Sequence, residues 1–175
     1  MPKSDAPRLA VLGAGPVGIE AALLARRLGW PVALYERGRL AEHWERWGHV
    51  RLFTPFGTNT TALGRAVVKE ERPKPPPPAD DAILTCKEHI AAYFAVIAAT
   101  PMMEGVLRTD SQVVAIGKST FSKSDRERRA QQPFRILLRD SKNNESFADA
   151  DVVFDCTGNY SRHRYMGAGG LPAPM

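Results

Sequence analysis

Three glycines at residues 13–18 (Gly13-Ala14-Gly15-Pro16-Val17-Gly18) constrain this chain more than any other feature. They follow a short apolar run at residues 8–12 and open a segment with helical spacing. Each glycine has a separate job in such a turn. Gly13 permits the tight bend, Gly15 lacks a Cβ so that a pyrophosphate can come up against the backbone, and Gly18 lets helix and strand pack closely. Pro16 falls at the first helical position, where its missing N–H costs nothing. The helix start then offers free N–H groups and a positive dipole to phosphate.

The flanks agree with that reading. Residues 8–12 read as a buried parallel strand. The helix after the turn is expected to bury a stripe of Val17, Ala21, Leu24 and Leu28, with Arg26 and Arg27 near its C-terminus and Gly29 as its stop. Residues 31–35 give a second strand, so strand, turn, helix and strand fit the length of a βαβ unit. Glu36 ends the second strand, where a dinucleotide site needs an acid. A carboxylate there accepts hydrogen bonds from the hydroxyls of an adenosine ribose and repels a 2′-phosphate. The first site therefore suits FAD or NAD over NADP, and the βαβ unit alone does not separate those two.

Further along, residues 38–64 look irregular. Arg72-Pro73-Lys74-Pro75-Pro76-Pro77-Pro78 reads as an extended connector. Thr85-Cys86-Lys87-Glu88 fits a capping box that starts a helix running to about Ala99. Residues 105–108, 112–117 and 134–139 read as strands, 145–148 pairs back after an Asn143-Asn144 turn, and 151–155 is a final buried strand. No secondary-structure signal marks the tail from Gly167 to Pro174.

Composition narrows the function classes. The net charge of +5 suits an anionic ligand such as a dinucleotide. The densest basic cluster, residues 123–129, is interrupted by acids and reads as a solvated loop, so nucleic acid is not expected as a partner. Cys86 and Cys156 form no Cys-x-x-Cys and read as free thiols of a reducing compartment. Cys156 reads as a small packing residue, with no basic neighbour in sequence to activate it. His43, His49, His89 and His163 lack metal-ligand spacing, so no metal is expected. Trp44 and Trp47 read as packing residues. The longest apolar run is too short to span a bilayer and no signal peptide opens the chain, which points to a cytoplasmic protein with no membrane partner.

Several segments resemble the two-dinucleotide-binding FAD-dependent oxidoreductases, flavin-containing monooxygenases in particular. Glu36-Arg37 is similar to their Glu-Arg strand end. Trp44 in Ala41-Glu42-His43-Trp44 matches the tryptophan of their Gly-Gly-x-Trp loop, without its glycines. Asn59 in Thr58-Asn59-Thr60-Thr61 resembles a segment near the flavin ring. Val114 in Val113-Val114-Ala115-Ile116 resembles a strand whose backbone meets the adenine. Cys156-Thr157-Gly158 resembles their second, Thr-Gly fingerprint. The resemblance implies an α/β, Rossmann-type FAD/NAD(P)-binding fold over residues 1–175, a parallel sheet with a small antiparallel β-meander within 105–150, and a connector or truncated tail at 159–175. It implies FAD at Gly13, Gly15, Pro16, Val17, Gly18, Glu36, Arg37, Trp44, Asn59, Val114, Thr157 and Gly158. It also implies NAD(P)H as reductant and a small-molecule substrate, with no catalytic residue identified.

Such enzymes carry a second glycine motif after the Thr-Gly strand, and the chain shows none, so an N-terminal fragment is expected. Three readings stay open: a flavin-dependent reductase or monooxygenase, a non-catalytic dinucleotide-binding module, and an NAD-dependent dehydrogenase using the same glycine motif.

Overall fold

A computed structural model describes residues 6–71, 75–120, 122, 131–159 and 165–171. Its centre is strand β1 (Leu9–Leu12), which is buried along its whole length. Parallel strands β2 (Val32–Tyr35) and β7 (Val152–Asp155) flank it, and the short β3 (Leu107–Arg108) extends the sheet to the order β3-β2-β1-β7. Leu12 lies level with Tyr35 on one side and Asp155 on the other, so three strand ends reach one rim.

A strand covered on both faces reads as a continuous apolar run because alternate residues point opposite ways. Leu9 and Val11 enter a core shared with the helices. Ala10 and Leu12 enter a second core with Tyr35, Ile136 and Ala150. That second core lies under an antiparallel meander of β4 (Gln112–Lys118), β5 (Phe134–Arg139) and β6 (Glu145–Ala150). The molecule is thus layered as helices, parallel sheet and meander.

Helix α1 (Pro16–Arg27) covers the helical face of the sheet. Its buried residues are Gly18, Ile19, Ala22, Leu23 and Ala25. The expected stripe is wrong: Val17, Leu24 and Leu28 are 69%, 50% and 60% exposed. Gly18 sets the phase, because it must face the turn, and Ala22 and Ala25 follow it at spacings of four and three. Gly29 does end the helix, with the N–H groups of Gly29 and Trp30 donating to the carbonyls of Arg26 and Ala25.

Residues 38–64 are more ordered than their sequence suggests. They hold α2 (Glu42–Arg46), a 3-10 turn (Phe56–Asn59) and the start of α3 (Ala62–Glu71). Thr61 caps α3 by accepting from the N–H of Gly64 at 2.9 Å. The expected helix after Thr85 is present with both halves of its capping box. It runs as α4 (Cys86–His89), a π turn (Ile90–Phe94) and α5 (Ala95–Ala98). Tyr93, Phe94 and Ile97 are fully buried there; each such side chain removes about 1.5–3 kcal/mol worth of apolar surface from water.

Other expectations shift at their edges. Residues 105 and 106 are turn, and only Leu107–Arg108 pairs, with β2. The last strand, expected to be buried, has Phe154 45% exposed, because β7 lies at one edge of the sheet as described. A 3-10 turn at Ala168–Gly170 stands in the tail, where none was expected. The basic cluster at 123–129, the start of the proline connector at 72–74 and His163 lie outside the described residues. Among the described residues, no helix is long and apolar enough to cross a membrane, and no cluster of His, Cys, Asp or Glu could hold a metal ion.

Candidate functional site

The three aligned strand ends deliver their loops to one place. Gly13 leaves β1 with φ of 92°, a left-handed conformation that only glycine adopts without strain. A Cβ on it would lie 2.8 Å from the carbonyl oxygen of Cys156 and 3.0 Å from Cα of Thr157. The Thr-Gly turn after β7 is therefore packed directly against the glycine turn. A Cβ on Gly18 would overlap the carbonyl oxygen of Gly13. At Gly15 nothing lies within 4 Å of where a Cβ would be, so this glycine faces open space.

The start of α1 has spare donors. The N–H groups of Gly15, Val17 and Gly18 have no acceptor among the described residues, Pro16 has no N–H, and the first bond of the series runs from Ile19 to the carbonyl of Gly15 at 3.0 Å. No side chain caps this end, and no acid stands in its first turn. Orphan N–H groups and the positive end of the dipole therefore gather beside the open side of Gly15, an arrangement suited to an anion.

Glu36 is tied to the same turn. Its Oε2 accepts from the N–H of Ala14 at 2.8 Å, and its Oε1 accepts from the N–H of Gly38 at 2.9 Å. Each carboxylate oxygen keeps further acceptor capacity for a hydroxyl. The loop beyond is pinned as well, since Ala41 N–H donates to Ala14 carbonyl at 2.9 Å. Ala41 has φ of 52°. It thus holds the left-handed conformation at the first glycine position of the Gly-Gly-x-Trp pattern. Arg37 is exposed beside Glu36.

The meander reaches the site through Ser111, whose N–H donates to the carbonyl of Glu36 at 2.9 Å. Pairing of β4 with β5 slips between Val113 and Ala115, leaving Val114 as a bulge that is 39% exposed. A bulged residue keeps its backbone groups outside the ladder.

On the other side, Asp155 Oδ1 accepts from the hydroxyl of Thr157 at 2.6 Å and from its N–H at 3.0 Å. These bonds hold the Asp155 carboxyl below the usual carboxylate range, with the hydroxyl the larger cause. Burial, and then the nearby Asp155, push the Cys156 thiol up, away from nucleophile chemistry.

The structure thus brings together Gly13, Gly15, Pro16, Val17, Gly18, Glu36, Arg37, Thr157 and Gly158, with Val114 on the strand that follows the Ser111 contact. Two other expected residues are engaged elsewhere. Asn59 spends its amide on its own turn, accepting from Thr54 Oγ1 at 2.8 Å and donating to the carbonyls of Thr54 and Pro55 at 2.9 and 3.2 Å. Trp44 packs its ring against Trp47, His89 and Phe94 at centroid distances of 6.1, 5.5 and 5.6 Å.

One network was not foreseen. The Tyr93 hydroxyl donates to Glu20 Oε1 at 2.5 Å, Thr61 Oγ1 donates to Glu20 Oε2 at 2.8 Å, and Thr61 N–H donates to Tyr93 Oη at 3.1 Å. Burial and then Glu20 raise the pKa of the Tyr93 phenol, keeping it protonated as donor. This network locks the 56–61 segment onto α1. Its only sequence signal is Thr61 as a helix cap, since Glu20 and Tyr93 lie far apart in the chain.

Solved structures with the same layout are found. Bacillithiol disulfide reductase from Bacillus cereus superposes with a TM-score of 0.68 at 15% identity, over 93% of this chain and 43% of that one. The chain has the α/β, Rossmann-type fold of these proteins. The same fold is matched in S-allyl-L-cysteine S-oxygenase from Allium sativum, at TM-score 0.63, 15% identity, and 87% and 36% of the two chains. It is matched again in OTEMO crystallised with FAD and NADP, at TM-score 0.58, 22% identity, and 89% and 26%. The chain spans between about a quarter and under half of these structures. No family model and no curated protein matches the sequence.

Proposed function

We propose that this chain binds FAD at the glycine turn and forms the FAD-binding part of a flavoprotein oxidoreductase, an NAD(P)H-dependent reductase or monooxygenase acting on a small molecule. The observation that carries it is the open start of α1. Three unbonded N–H groups, at Gly15, Val17 and Gly18, stand beside a glycine with empty space and a carboxylate fixed to the same turn. The residues fit the cofactor. The α1 start would hold the pyrophosphate, Glu36 would accept from the ribose hydroxyls, and the Val114 bulge would offer its backbone groups to the adenine. FAD over NAD is supported by the fold-level likeness, over 89% of this chain, to OTEMO crystallised with FAD and NADP.

Bound FAD would accept hydride and pass it to a substrate or to oxygen. This chain's own residues bind and orient. Glu36 discriminates against a 2′-phosphate, the Glu20–Tyr93–Thr61 network fixes α1 against the 56–61 segment, and Asp155 shapes the turn at Thr157.

Incubation with FAD followed by desalting tests the reading. A yellow protein that releases FAD on denaturation is the expected result. A colourless protein that binds NAD and refuses FAD overturns it in favour of a dehydrogenase-type use of the same turn. FAD retention without NAD(P)H oxidation is expected of this chain alone, with oxidation appearing in a longer chain; no oxidation in the longer chain either would leave a dinucleotide-binding module.

A further inference from the structure

A cleft of about 370 Å³ opens beside α3, and it shares no residue with the glycine turn, Glu36 or the β7 turn. Its apolar lining is Phe56, Val68, Ala66, Pro77 and Pro78. Its polar lining is Arg65, Lys69 and Asp80. We infer that this cleft is a binding site for a small organic monoanion, a carboxylate head on a short hydrocarbon or aryl body.

Three features carry the assignment. The first is that the walls are fixed before any ligand arrives. Gly57 N–H donates to the Asp80 carbonyl and Phe56 N–H to the Ala82 carbonyl, both at 2.8 Å, so residues 80–82, just after the proline wall, are tied to the 3-10 turn. Proline walls add surface with little rotamer entropy to lose.

The second is the state of the two cations. Arg65 is pinned through Nη1, which donates to the carbonyl of Gly57 at 2.9 Å, to Thr60 Oγ1 at 2.8 Å and to the Thr60 carbonyl at 3.3 Å. Its Nη2 has no partner among the described residues, and its Nε stands 4.0 Å from Asp80 Oδ1, outside hydrogen-bond reach. A held guanidinium with Nη2 free, and only a loose ion pair from Nε to Asp80, is a prepared carboxylate donor. Lys69, one turn along α3, makes no ion pair or hydrogen bond among the described residues.

The third is the charge balance. Two cations against one carboxylate leave the lining one positive charge, which matches a monoanion. The volume lies near the lower end of the roughly 300–1,000 Å³ of small-molecule pockets, and the apolar floor asks for a body that inorganic phosphate lacks.

Isothermal titration of the purified protein with sodium octanoate tests this, with octylamine and inorganic phosphate as comparison probes. Octanoate is expected to bind one to one, at least tenfold more tightly than either comparison. Ala66→Trp, which fills the cleft, is expected to abolish octanoate binding without moving the urea midpoint. Lys69→Glu, at an exposed position, is expected to reverse the preference towards octylamine, and it serves where Ala66→Trp fails to fold. No octanoate binding, equal binding of octylamine, or retention of the octanoate preference in Lys69→Glu overturns the inference. FAD retention is independent of every one of these outcomes.

Discussion

Alanine at Gly15 and alanine at Gly18 should fail in opposite ways, and the contrast isolates what each glycine does. At Gly18 the new Cβ meets the Gly13 carbonyl oxygen. That oxygen cannot yield cheaply, because Gly13 N–H is bonded to Tyr35 carbonyl at 2.7 Å and the β7 turn packs behind. Overpacking of this kind costs about 1–3 kcal/mol, and a backbone obstacle sets the upper end. Better helix propensity returns up to about 1 kcal/mol. A net loss of about 2 kcal/mol is expected in urea unfolding of the ligand-free protein. At Gly15, φ is −79° and ψ −176°, which alanine adopts freely, and no atom lies within 4 Å of its Cβ. The poorer N-cap and the stiffer unfolded chain each contribute under about 1 kcal/mol with opposite signs, so stability should stay within about 0.5 kcal/mol. The methyl instead occupies the space kept for phosphate, and FAD affinity should fall at least about tenfold, roughly 1.4 kcal/mol. Equal destabilisation by both variants, or undiminished FAD binding by Gly15→Ala, would refute the division of labour.

The remaining predictions follow from single groups. His89 is fully buried in a ring of aromatics, both ring nitrogens lack a partner among the described residues, and burial lowers its pKa to about 4. Because that value lies below the unfolded 6.5, the unfolded chain takes the proton first; stability is complete above pH 6.5 and falls by up to about 3 kcal/mol as pH drops towards 4. His89→Leu should remove that slope and add about 1 kcal/mol at pH 7, read by urea midpoints at pH 7 and 4.5. Val17→Asp places an acid in the exposed first turn of α1; stability should rise by about 0.5 kcal/mol while FAD affinity falls, more so at low salt. Arg8 donates two side-chain bonds to Asp151 and holds its carboxyl at about 2. Both side chains are substantially exposed, so Asp151→Asn should cost no more than about 1 kcal/mol at neutral pH, with the difference disappearing as pH falls through 2.

The glycine turn, its strand and Glu36 were legible because their signals are local. Three glycines, a proline and an acid at set spacing describe one short loop, and its geometry depends on little else. The same holds for the capping box at Thr85 and for the strand at residues 134–139. The buried face of α1 was not legible from apolar spacing alone. Helix α1 and its C-cap carry two apolar arcs, one through Ile19, Ala22 and Leu23, the other through Val17, Leu24 and Leu28. Periodicity weighs both alike and favours the one with larger side chains. The deciding residue is Gly18, whose lack of a Cβ lets the helix sit on the turn, and small residues at 22 and 25 continue its face.

A similar conflict hid α3. Two threonines and a glycine at residues 60–64 read as loop composition, yet Thr61 is a cap and Gly64 is demanded by the Tyr93 hydroxyl, which a Cβ there would overlap. Nothing near residue 64 announces Tyr93. The exposed edge at Phe154 has the same origin: an apolar strand signals that something covers it without saying which sides are covered. Local chemistry is therefore readable at the turn that would hold the phosphates. The contacts that orient this turn, from Glu20 to Tyr93 and from Gly13 to Cys156, join residues far apart in the chain and became visible only in three dimensions.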